Sequence, residues 1–379
     1  MKKALIAAAV AGAFAAPSAM AAELSTNVYW SQALAIGETT TTNAGVDATV
    51  NNDKVFDGGG NRLMFTWTDT LDNGIGVSAY LSFGNLGTAN AGGVNTRNAN
   101  VGFNGDFGTV QIGANEHFSE TDLIFDPSYA DFGDTGDALS FIRVGQTGFN
   151  FTRRDSESVW FTSNNMNGFQ IRAAYIMGPE GLSTAAVDPQ GTQFGLTYSN
   201  GPLMVGVNQA TYEDYAASGS ESGTADAGAG NGTTVAAPGV AGSETKMTTI
   251  RGSYDMGMVM VKAARWTIEQ TGFTNIGVAA NATGLEVEGS SIYVGMPVGG
   301  GTLWAQSSSL SDQDSTVAGV TSAINASGKS GYDVGFHMPM NANVNMFARY
   351  GESETDVNFD ATAGSTETEQ FMFGWQLMY

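Results

Sequence analysis

From residue 62 onward the chain is a succession of short segments in which apolar and polar residues alternate one for one. "NRLMFTWTDT" sets Leu63, Phe65 and Trp67 on one parity against Arg62, Met64, Thr66 and Thr68 on the other. "IGVSAYLSF" follows the turn Asp72-Asn73-Gly74, with Ile75, Val77, Ala79, Leu81 and Phe83 in phase. A period of two is a β-strand with one apolar face, and Asn-Gly between two such runs is a hairpin turn. The unit recurs. "NANVGF" meets "TVQIG", "SVWFTS" meets "FQIRAAY", and "TQFGLTYS" meets "LMVGVNQATY". "MTTIRGSY" meets "MVMVKAARWTI", "SSIYVGMPV" meets "TLWAQSSSL", and "YDVGFHM" meets "NVNMFARY". Ahead of them stands "ELSTNVYWSQALAIG", with Leu24, Val28, Trp30, Leu34 and Ile36 on one parity. "EQFMFGWQLMY" closes the series with Phe371, Phe373, Trp375, Leu377 and Tyr379.

This pattern predicts an all-β fold of about sixteen strands joined by seven tight turns and eight longer connections. Short connections on one rim and long ones on the other are the build of a transmembrane antiparallel β-barrel. Sixteen strands enclose a lumen wide enough for water. The polarity agrees. Phe65, Trp67, Val101, Phe103, Val159, Phe161, Phe169, Ile171, Val344 and Met346 share the lipid parity with the closing aromatics. Arg62, Asn98, Asn100, Gln111, Gln170, Arg172, Arg251, Asn345 and Arg349 take the other, as expected where a charge facing lipid costs about 2–4 kcal/mol at the midplane. Arg265 falls on the lipid parity near a strand end, and Trp160 on the lumen side.

The first residues change the picture from fold to address. Lys2 and Lys3, an apolar run from Ala4 to Ala16 and the triplet Ala19-Met20-Ala21 read as a secretory signal peptide over 1–21. The barrel then occupies 22–379, with 13 basic residues against 37 acidic ones, a charge of −24. Such a chain repels nucleic-acid phosphate. It has no cysteine, so it holds together without disulfides. Charged residues make up 14% of the sequence, against roughly a quarter in ordinary soluble domains, which fits a protein with one face in lipid. A soluble acidic β-protein would instead carry Lys and Glu on its strand faces.

"NRLMFTWTDTLDNGIGVSAYLSFGN", "TRNANVGFNGDFGTVQIGANEH" and "SESVWFTSNNMNGFQIRAAY" resemble successive hairpins of the general porins of Gram-negative outer membranes. With the signal peptide and the closing aromatic strand, the resemblance covers nearly the whole chain. It implies a homotrimer in the outer membrane, in contact with lipid and lipopolysaccharide, passing small polar solutes by diffusion. It also implies that Phe371, Phe373, Trp375, Leu377 and Tyr379 are read by the outer-membrane assembly machinery. The family commonly has arginine where this chain has Ala114, and a basic residue where it has Trp160. Arg62 matches the family's arginine and remains on the wall, while the two departures imply that the basic side of the constriction is thinned.

By the same resemblance the third long connection, within 115–150, folds into the barrel and narrows it. It carries Glu116, Glu120, Asp122, Asp126, Asp131, Asp134 and Asp137. Clusters of carboxylates in a narrow polar passage favour cations. Facing them the reading places Arg62, Arg172, Arg251 and Arg349, with Arg154 near the mouth. The Gly-, Ala- and Ser-rich stretch within 213–243 reads as a long mobile external loop. No cofactor is expected beyond Ca²⁺ or Mg²⁺ held loosely at acidic external loops. With His117 and His337 as its two histidines and no cysteine, the chain lacks the parts of a metal or nucleophile site, so no enzyme is expected. Two rival barrels remain, one plugged and structural, the other substrate-selective with aromatic or basic ladders along its lumen.

Overall fold

The computed structural model describes residues 23–379 except 44, 58–60, 85, 87–93, 124, 126–153, 178–188, 215–241, 273–281, 312, 318–319, 325–327 and 360–361. Its strands are β1(Glu23–Asn43), β2(Val46–Asn51), β3(Lys54–Asp57), β4(Arg62–Thr70), β5(Gly76–Gly84), β6(Asn95–Gly105) and β7(Gly108–Glu116). A short helix, α1(Phe118–Asp122), follows. The chain continues through β8(Arg154–Thr162), β9(Phe169–Met177), β10(Gln190–Asn200), β11(Leu203–Glu213), β12(Glu244–Asp255), β13(Met260–Thr271) and β14(Ala282–Val298). It ends with β15(Gly301–Leu310), β16(Gln313–Val317), β17(Val320–Ile324), β18(Lys329–Pro339), β19(Val344–Phe359) and β20(Thr362–Met378).

All ladders are antiparallel, and the sheet closes where β1 pairs with β20, from Tyr29↔Met378 to Asn43↔Gly364. Sixteen lanes make the wall. β2 and β3 run along β1 beyond β4 and prolong its lane, while β16 and β17 form a hairpin laid on the far end of β14. At the break between β3 and β4 the Asn61 side chain accepts the Ser31 N–H at 2.6 Å, replacing a ladder bond in the wall. The seven tight turns and the sixteen strands anticipated from the pattern are all present.

The alternation divides inside from outside. On β20, Phe371 and Trp375 are 45% and 47% exposed while the residues that follow them, Met372 and Gln376, are 1% and 2%. The outer wall is banded. On β14, Met296, Val294 and Ile292 lie nearest the short-turn rim and give way to Ser290, Glu288 and Glu286. On β20 the aromatics give way to Glu369 and Glu367. Thus an apolar belt, the requirement of a lipid-facing wall, starts at the short turns. Above it lies a zone of Ser, Thr and Glu. Arg265 stands in that zone, facing outward at 66% side-chain exposure and paired with Glu288 at 2.7 Å, which accounts for its parity.

The inner wall is less polar than the alternation alone conveys. Trp160, Ile176, Tyr212, Met247, Trp266, Ile268, Val287, Tyr293, Trp304 and Leu310 all point inward from β8 to β15 and form one buried cluster with Phe118, Leu123 and Phe125. Glycine makes room for the largest of them. A Cβ on Gly289 would overlap the Trp266 indole, and one on Gly335 would meet the Trp304 ring. Each tryptophan therefore lies flat on the neighbouring strand. Trp30 faces outward with Leu34 and Ile36.

Candidate functional site: a loop fastened to the inner wall

The third connection leaves β7 at Glu116 and enters the lumen. A bulge prepares its departure: Gly113 adopts φ 125° and the β7–β8 register shifts between Gly113 and Asn115, where an extra residue on β8 turns Asp155 into the barrel beside Asn115. His117 is buried and its ring lies 6.0 Å from that of Tyr212. The Phe118 N–H, first of the helix donors without an intrahelical partner, donates to Gln193 Oε1 at 3.1 Å. Gln193 Nε2 in turn donates to Asp155 Oδ2 at 3.1 Å, which also accepts from the Tyr212 hydroxyl at 2.8 Å. Three strands, β8, β10 and β11, thus hold the entry of the loop.

α1 then lies across β8 and β9. The Phe118 ring meets Trp160 edge-on at 4.8 Å and carries the Arg172 guanidinium over its face at 4.4 Å. Trp160 Nε1 donates to Ser158 Oγ, which fixes the indole. Asp122, the last residue of α1, sits between two guanidiniums. Its Oδ2 accepts from Arg172 Nη2 at 2.5 Å and its Oδ1 lies 2.9 Å from Arg251 Nη2. Its side chain is 3% exposed, those of Arg172 and Arg251 13% and 17%. Beyond α1, Lys262 Nζ donates to the Phe125 carbonyl at 3.1 Å and lies 5.9 Å from the Phe125 ring and 5.0 Å from that of Tyr293. Residues 117–123, with Phe125, make a strap along the inner wall from β7 to β14.

The residues chosen from sequence divide accordingly. Asp122, Arg172 and Arg251 are brought into direct contact instead of facing one another across water. Glu116 lies 3.9 Å from Arg62, whose guanidinium stands 5.4 Å over the Tyr29 ring. Arg349 faces inward from β19, 3% exposed, with Nη2 donating to Met372 Sδ at 3.5 Å. Glu120 belongs to α1, and the Arg154 backbone stands opposite Glu116 in the β7–β8 ladder. Asp126, Asp131, Asp134 and Asp137 lie outside the described residues. Phe371, Phe373, Trp375 and Leu377 share the outward parity, and the Tyr379 N–H donates to the Val28 carbonyl at 2.9 Å beside the seam.

Four participants were missed from the sequence: Asp155, Gln193, Tyr212 and Lys262. Lys262 had a usable signal, since it shares the inward parity of Trp266 on a wall nearly free of lysine. Asp155 had none, because the bulge that aims it breaks the alternation. Arg97 was hidden for the same reason. It is the extra residue where the β5–β6 register shifts between Ser82 and Phe83, and it is 2% exposed.

Among the described residues, no helix is long and apolar enough to cross a membrane. Similar folds recur in solved structures. The anion-selective porin from Comamonas acidovorans superposes with TM-score 0.66 at 15% identity, covering 94% of this chain and 100% of that one. The trimer form of OmpT, an outer membrane protein of Vibrio cholerae, gives 0.65 at 16% identity over 95% and 100%. The outer membrane channel DcaP of Acinetobacter baumannii gives 0.59 at 11% identity over 96% and 99%. No curated protein matches by sequence. A family model described as Gram-negative porin, however, matches residues 5–376. A match that runs from the first apolar segment into the closing strand, on a closed sixteen-lane barrel with a belted outer wall, makes this chain a member of the Gram-negative porin family, an outer-membrane channel protein.

Proposed function

We propose that the channel admits ions and small hydrophilic solutes by diffusion and prefers cations. The observation that supports this is the fastening of the strap. The inner-wall arginines nearest to it already have a carboxylate: Arg172 and Arg251 share Asp122, and Arg62 lies beside Glu116. The strap is held inside the barrel as far as Phe125, and the carboxylates next in sequence are Asp126, Asp131, Asp134 and Asp137. The whole chain is at −22, so the mean field at the mouth also favours cations.

The test is the reversal potential of the purified protein in a planar bilayer across a KCl gradient. Cation selectivity is expected, and neutralising Asp126, Asp131, Asp134 and Asp137 together should move the potential towards zero. Anion selectivity in the unaltered channel would refute the preference while leaving the porin assignment untouched. By likeness to the trimeric relative, the protein is proposed to act as a homotrimer in contact with lipopolysaccharide. The outward aromatics of β20 are proposed as its assembly signal.

A further inference from the structure

The strap ends against a part of the wall that diffusion of ions does not require. Tyr293 on β14 and Trp304 on β15 stack with centroids 6.2 Å apart and planes inclined by 23°, and Trp304 lies flat over Gly335. Two residues further along the inner face of β15 is Gln306, whose Nε2 donates to Asp333 Oδ2 at 3.3 Å. Trp304 and Gln306 are 2% and 3% exposed. Yet Trp304 Nε1, a donor, and Gln306 Oε1, an acceptor, are both without a partner. A buried polar atom left without a hydrogen bond is costly and calls for an occupant, whether water or solute. Here the two orphans are of opposite kind and lie beside two aromatic faces.

That combination restricts the occupant. An anion satisfies the indole N–H but is repelled by the amide oxygen and by Asp333. A cation satisfies the oxygens but not the N–H, and an apolar solute satisfies neither. A hydroxyl both accepts and donates, and the C–H face of a sugar ring packs on an aromatic plane. We infer that Tyr293, Trp304 and Gln306 form a subsite for a saccharide-class solute on the inner wall of β14 and β15. Phe125 belongs to the same buried cluster, and Lys262 ties it to the Tyr293 ring. A sugar therefore gains the site by displacing the Phe125 ring.

The inference rests on the channel reading and is tested in the same bilayer, with maltose added to both sides and polyethylene glycol of similar size as the control. Maltose should reduce the conductance saturably where the glycol produces only a linear fall. Trp304→Phe and Gln306→Leu each remove one orphan atom and should raise the half-saturating concentration about tenfold, the loss of roughly one hydrogen bond. Phe125→Ala should lower it. These opposite shifts separate a subsite from mere narrowing, which would move every variant in one direction. Equal, unsaturated effects of maltose and glycol would overturn the inference and mean that water alone fills the site. Failure of the cation preference would show in the reversal potential without sugar, so the two readings fail separately.

Discussion

Asp122→Asn tests the strap directly. In the native channel one carboxylate accepts from Arg172 at 2.5 Å and pairs with Arg251 at 2.9 Å, with all three side chains at least four-fifths covered. A hydrogen bond to a charged group contributes about 1.5–3 kcal/mol, and with the close Arg251 ion pair taken at the same size the two contacts amount to roughly 3–6 kcal/mol before compensation. Asparagine keeps one acceptor, and both arginines border the water-filled lumen and recover part of their hydration. A net loss of about 2 kcal/mol remains, well below the 3–5 kcal/mol of a fully dry ion pair. The loss falls on attachment of the loop, because the wall is held by ladders that Asp122 does not join. At 1.4 kcal/mol per decade, detachment becomes about 30-fold more frequent. Single-channel recordings should therefore show increased open-channel noise and new sublevels, while the far-UV circular dichroism of the folded barrel stays unchanged. Arg251→Gln in the same chain should add less than it does alone, since the two positions share one interaction. Quiet D122N channels, indistinguishable from the parent, would refute the argument that this clasp holds the loop.

Two further perturbations probe the wall. Gly289→Ala forces the Trp266 indole off the neighbouring strand, an overpacking cost of about 1–3 kcal/mol, and should lower refolding yield in detergent. On the outer wall Glu369 stands opposite both Glu38 and Glu352, so Glu369→Lys should convert two repulsive cross-strand pairs into attractive ones. At about 0.2–1 kcal/mol per pair, the denaturation midpoint should rise, and by less in high salt.

Most of the barrel was legible because one rule, the alternation of faces, operates in every strand. It located β4 and β5, set Arg172 and Arg251 inward, and assigned Phe371 to Leu377 to the lipid. It failed at register shifts. The β7–β8 bulge hides Asp155, and the β5–β6 bulge hides Arg97, because one extra residue reverses the parity beyond it. The loop was legible as acidic but not as bound: nothing in "EHFSETD" tells that Asp122 spends its charge on two guanidiniums. The aromatic interior was underestimated for a different reason. Trp266, Tyr293 and Trp304 are far apart in sequence, and only the ladder joining β13, β14 and β15 assembles them into one surface.

The closing seam constrains how the molecule is made. Tyr29 meets Met378, so the pairing that removes the last free edges joins residues nearly a full chain length apart. Every other neighbour in the wall can zip locally as the chain emerges, hairpin by hairpin. The seam cannot, and until it forms β1 and β20 are open templates for any passing strand. Their faces carry Leu34, Ile36, Phe371 and Trp375, which adds an aggregation hazard to an unpaired backbone. The vulnerable period therefore lasts as long as synthesis and export together. A catalyst of folding would be most effective by shielding these two strands and releasing them to one another.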